Sequence, residues 1–67
     1  MIQSVCHEED FTVKFNICTN DEKKELWIEV NWYTKQGNDT EYFLASHYAE
    51  AVDFYNAKCD QLRSNAK

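Results

Sequence analysis

Two stretches of strict alternation constrain the fold of this chain more than any other feature. Phe11, Val13, Phe15 and Ile17 interleave with Thr12, Lys14, Asn16 and Cys18, and Leu26, Ile28, Val30 and Trp32 interleave with Trp27, Glu29, Asn31 and Tyr33. A strand turns successive side chains to opposite faces, so a period of two in β-branched and aromatic residues predicts two strands, each with one buried face. The polar segment "TNDEKK", Thr19 to Lys24, has hairpin-loop character and joins them. The second strand, Glu25 to Thr34, is unusual because two large aromatics, Trp27 and Tyr33, fall in the set opposite its apolar one.

Beyond it, "KQGND" holds the one glycine of a chain without proline. Gly37 and Asn38 suit a two-residue hairpin turn, which needs positive φ. A third strand is expected over Thr40 to Ala45. With that loop, Thr34 pairs with Glu41, Tyr33 with Tyr42 and Trp32 with Phe43. Phe43 and Ala45 then join the inner set, and Tyr42 and Leu44 join Trp27, Glu29, Asn31 and Tyr33. A loop one residue longer would exchange the faces of the third strand.

From Ser46, a credible N-cap, the chain reads as helix to residue 66. Tyr48, Ala51, Val52, Tyr55, Cys59 and Leu62 recur at spacings of three and four and form one stripe, with Phe54 on its flank. Glu50 and Asp53 lie early, and Lys58, Arg63 and Lys67 late, which suits the helix dipole. The expected architecture is α+β, a three-stranded antiparallel meander (10–45) with one C-terminal helix (46–66) on one face, in two layers. Residues 1–9 are either a loose arm or an irregular extension of the first strand. The helix can cover only one sheet face, leaving the other open unless the arm folds over it.

At 67 residues the chain is a single domain, near the lower limit for a fold held by a hydrophobic core alone. A hydrophobic fraction of 43%, with ten aromatic residues, is too rich for a disordered chain. The net charge of −5 repels phosphate backbones and anionic lipid, and the lysines and arginine form no run, so nucleic acid is not an expected partner. Acidic surface clusters are expected at Glu8, Glu9 and Asp10 and at Asp21 and Glu22. The longest uninterrupted apolar run, Tyr42 to Ala45, is far short of the roughly 20 residues of a membrane span. Three cysteines cannot all pair within one chain, and the N-terminus does not read as a signal peptide, so a reducing, cytoplasmic setting is expected.

Little in the chain points to chemistry of its own. Cys6, His7, Cys18, His47 and Cys59 lack the short paired spacing of cysteine-based zinc sites, so no metal or other cofactor is expected. A nucleophile such as Cys6 beside His47 would also need an orienting group, an oxyanion site and a dry pocket, which a sheet with one helix does not readily provide. One glycine cannot form a phosphate-cradling loop. An enzyme is therefore not expected. An aromatic sheet face can bind single-stranded nucleic acid, but here Lys14 is the only nearby cation and Glu29 and Glu41 stand beside the rings.

The expected functional surface is the open face, with Trp27, Glu29, Asn31, Tyr33, Tyr42 and Leu44. Aromatics in a polar surround are what protein interfaces use as anchors. The expected function is a small acidic protein-interaction module that inhibits or adapts a larger protein. Size, charge and fold class, though no motif, parallel small phage or mobile-element antagonists of host nucleic-acid enzymes. The alternative is a homodimer joined through the open face, serving a structural role or holding a small ligand between two sheets. A single-stranded nucleic-acid binder ranks third.

Overall fold

The computed structural model describes residues 2–65. They form β1 (Ile2–His7), β2 (Phe11–Asn20), β3 (Glu25–Thr34), β4 (Gly37–Leu44), a 3-10 turn (Ala45–His47) and the helix α1 (Tyr48–Asn65). The four strands make one antiparallel sheet in sequential order, with α1 packed on one face. The α+β class and the C-terminal helix are as expected, but the sheet has four strands rather than three. The expected helix end at residue 66 and the dipole role of Lys67 lie outside the described residues.

The fourth strand comes from the N-terminal segment. Its alternation is broken because the register with β2 shifts between Ile2 and Ser4. Past that irregularity Cys6 stands opposite Val13 and faces the helix, while Val5 and His7 stand opposite Lys14 and Thr12 on the other side. The segment therefore extends the sheet at its edge and does not fold over the open face.

The turn between β3 and β4 also differs from expectation. Lys35 and Gln36 form the loop, and Thr34 and Gly37 are the closing pair. The Thr34 side chain holds this turn, accepting from the Gln36 amide and donating to the Gly37 carbonyl, each at 3.2 Å. Lys35 is tied to Asp10 at 2.9 Å. Tyr42 therefore stands opposite Glu29 instead of Tyr33, and Phe43 opposite Ile28 instead of Trp32, a slide of four residues along β3. Four is even, so every side chain of β4 keeps its expected face.

The core lies between sheet and helix. Phe11, Val13 and Phe15 of β2, Ile28 and Val30 of β3, and Ala51 and Cys59 of α1 are buried. Phe15 meets the rings of Tyr48 and Tyr55 edge-on at 5.6 and 5.8 Å. Phe54 packs against Trp32 at 5.7 Å and Phe43 at 5.4 Å, so the flank of the helical stripe closes the β4 side of the core. The Lys58 ammonium lies over the Trp32 ring at 4.4 Å and donates to Gln61 at 3.0 Å.

Two further expectations fail. Leu26, assigned to the buried face, is 55% exposed. β1 pairs no further along β2 than Asn16, and β4 ends opposite Trp27, so the end of the β2–β3 hairpin projects as a two-stranded ribbon. An 18-residue helix spans about 27 Å, whereas the molecule is 43 Å long, and the helix does not reach this ribbon to cover Leu26. Ser46 is not an N-cap. It lies inside the 3-10 turn, which starts from Leu44 without a side-chain cap, and α1 continues directly from that turn.

Candidate functional site: the open sheet face

Alternation along β3 directs Trp27, Glu29, Asn31 and Tyr33 to the face opposite α1, and the register adds Leu44 beside Trp27 and Tyr42 beside Glu29. The six residues expected at this site thus share one surface. β2 contributes Thr12, Lys14, Asn16 and Cys18 to the same face. Among the described residues no helix or loop lies across it, and Tyr33, Tyr42 and Leu44 remain 40%, 65% and 63% exposed.

The centre of the face is a polar ladder across three strands. Asn16 donates its side-chain amide to Asn31, and Asn31 donates in turn to the Thr40 hydroxyl at 2.8 Å. This ladder orders the middle of the sheet without an apolar cover, because its members satisfy one another. On one side of it, the Trp27 indole N–H donates to Glu29 at 2.8 Å, which orients the ring along the strand. The Cys18 thiol lies near the same carboxylate. Partial burial first, then the neighbouring Glu29, raise its pKa, so it stays a thiol at neutral pH. On the other side, Lys14 lies over the Tyr33 ring at 5.3 Å. At the β1 edge, His7 and Thr12 share a 2.8 Å hydrogen bond, and exposed Val5 adds apolar surface.

The two tryptophans of β3 thus have opposite environments: Trp32 packs against the core under Lys58, and Trp27 lies on the open face. The cross-strand ladder was hidden in the sequence because it depends on register. Alternation placed Asn16 and Asn31 on one face but could not show that they meet.

The acidic residues do not form one surface. Glu8, Glu9 and Asp10 sit at the β1–β2 turn and Asp21 and Glu22 at the β2–β3 turn, separated by the ten residues of β2, about 33 Å. Glu8 is bonded to Arg63 at 3.3 Å and Asp10 to Lys35, so the first cluster is partly neutralised. At the other turn, Asn20 accepts the amides of Glu22 and Lys23, and both acidic side chains are exposed.

An open depression bordered by Asp10, Phe11, Thr34, Lys35, Gln36 and Leu62 lies at the far end of the core. Its lining presents an ion pair rather than a nucleophile with a base. Among the described residues no group of three or more His, Cys, Asp or Glu is placed to hold a metal ion, and no helix is long and apolar enough to cross a membrane. No protein-family model, curated protein or solved structure matches the chain.

Proposed function

We propose that the chain is a small acidic protein-interaction module that docks on a larger protein through its open sheet face and acts by occupying that partner's surface. The observation that carries this reading is the set of Trp27, Tyr33, Tyr42 and Leu44 on one face, around a self-satisfied polar ladder, with no element of the described residues above it. Such rings supply large contact area at low entropic cost, and a ladder with its own partners does not have to break to let a partner approach. The exposed Asp21 and Glu22 at the ribbon tip would add attraction to a basic partner. An inhibitor that covers the basic groove of a nucleic-acid enzyme is one form of this function. The reading assigns the docking face no chemistry of its own and sets the chain in a reducing cytoplasm, in keeping with the three free thiols of the structure.

A second reading, self-association through the same face, is favoured by the balance of Lys14 against Glu29. Glu41, expected beside the rings, stands opposite Val30 on the helix side, so the face is close to neutral although the chain carries −5, and two copies could meet there without strong repulsion. Single-stranded nucleic acid would find Lys14 alone among the rings, and binding that vanishes at low salt or ignores added salt removes it.

Size exclusion with light scattering distinguishes the first two readings, since a concentration-independent monomer supports a heterologous partner and a stable dimer supports the second. The Trp27→Ala, Tyr33→Ala double variant should keep its circular dichroism spectrum. It should also lose, by more than about tenfold, the partner captured from the native host by the unaltered chain. Undiminished capture by the folded double variant overturns the proposal.

A further inference from the structure

On the side of the sheet away from the open face, two cysteines 53 positions apart in sequence meet. Cys6, in the edge strand β1, points toward the helix from its place opposite Val13 and packs against the core. Cys59, on α1, is 6% exposed and belongs to the core cluster against which Cys6 packs, near enough to Cys6 for the two thiols to interact. Arg63, one helical turn beyond Cys59, donates Nη2 to the Cys6 sulfur at 3.4 Å and Nε to Glu8 at 3.3 Å. The guanidinium thereby holds β1 to α1 and orients the Cys6 sulfur beside Cys59.

We propose that Cys6 and Cys59 form a two-thiol oxidation site that closes to a disulfide between β1 and α1 when a low-molecular-weight disulfide such as oxidised glutathione is the oxidant. Exposure divides the roles. Cys6 is half-buried and is the sulfur a dissolved oxidant reaches, whereas Cys59 is buried and serves as the resolving thiol. Burial, then the neighbouring Cys6, push the Cys59 thiol up to about 11, so it stays protonated until the exchange draws it in. The sulfur of Cys6, losing its proton to solvent, attacks one sulfur of the oxidant, forming a mixed disulfide and expelling one glutathione thiolate. Cys59 then gives up its proton, attacks the Cys6 sulfur and expels the second glutathione. Two protein thiols are oxidised to one disulfide, and one glutathione disulfide is reduced to two thiols.

Closing this bond ties an edge strand, paired on one side only, to the helix across a loop of 52 intervening residues. The constraint falls mainly on the unfolded chain and grows with loop length. The open face lies on the opposite side of the sheet and keeps its exposed rings in both redox states, so the site is independent of the proposed docking function.

The test is incubation of the full chain with oxidised glutathione, followed by alkylation, non-reducing peptide mapping and thermal unfolding. Expected are loss of two hydrogens in mass, a Cys6–Cys59 cross-linked peptide, an alkylatable Cys18, and a melting temperature raised by about 10 °C or more, reversed by dithiothreitol. Cys6→Ser, at the half-exposed position, should fold, show no cross-link and show no rise in melting temperature. A stable mixed disulfide at Cys6, a Cys18-linked dimer as the main product, or a cross-link without added stability overturns the proposal.

Discussion

Gly37 has φ of 139° and Lys24 has φ of 55°, the two left-handed positions among the described residues, and their occupants are mismatched in cost. Glycine adopts such φ freely, while a lysine pays for its Cβ. A Cβ at Gly37 would meet nothing within 4 Å, so Gly37→Ala tests the backbone alone. It should destabilise by about 1–2 kcal/mol, and Lys24→Gly should stabilise by up to ~1 kcal/mol, both read from urea midpoints. A second pair of residues sets the alkaline response. Burial first, then Cys59 and Cys6 nearby, raise Tyr55 from 10 to about 12, and burial first, then Cys6, raises Cys59 from 9 to about 11 although Tyr55 and Arg63 pull it back. Both folded-state pKa values lie above their unfolded ones, so this stabilisation is complete below pH 9 and is lost as pH rises through 11 and 12. The urea midpoint should fall between pH 9 and 12, and the fall should be shallower in Cys59→Ala.

At the scale of elements, the projecting β2–β3 ribbon separates two residues that the sequence pattern treats alike. Ile28 is fully buried under α1, whereas Leu26, two positions earlier on the same strand face, lies beyond the helix. Ile28→Ala should cost about 2–5 kcal/mol and Leu26→Ala under ~1 kcal/mol in the same unfolding measurement. β3 was legible to the residue and β2 to within two, because Phe11–Ile17 and Leu26–Trp32 alternate without a break, whereas polar Thr19 and Asn20, read as loop, are drawn into the ladder opposite Leu26 and Glu25. β1 was not, since its register irregularity near Ser4 destroys the period and its pairing with β2 decides its faces. The start of β4 was hidden because Gly37, Asn38 and Asp39 are weak strand formers, drawn into the ladder by the turn contacts of Thr34. The open face was legible from parity along β3, but the Asn16–Asn31–Thr40 ladder and the Cys6–Cys59 meeting depend on which strand positions coincide, which local pattern does not encode.

For the molecule as a whole, one helix closes one core, and the described residues contain no second buried cluster to unfold separately. Calorimetry should give a single transition with an enthalpy of about 45 kcal/mol, coincident with the loss of far-ultraviolet dichroism. The open face has modest dimensions at this scale. The eight residue pairs of β3 and β4 and the width of four strands bound it at about 26 by 19 Å, or at most about 500 Å² since β1 is shorter, less than the roughly 800 Å² per partner of a standard interface. A face-only complex would therefore be exchangeable, and a durable one would have to extend past the face, for instance along the ribbon toward Asp21 and Glu22.

The turn at Lys35–Gln36 shows how tolerant such a surface is of insertion and deletion. Its strand slid four places from the expected pairing and still delivered Tyr42 and Leu44 outward and Phe43 inward, because only the oddness or evenness of the slide matters to which side a ring faces. The β3–β4 hairpin therefore behaves like a parity check. Gaining or losing two residues at its tip would shift the neighbours but preserve both surfaces, while a change of one would send Phe43 into solvent and Tyr42 and Leu44 toward the core. Descendants of this chain can thus lengthen or shorten that hairpin in pairs, rearranging the pattern of rings offered to a partner without rebuilding the core beneath it.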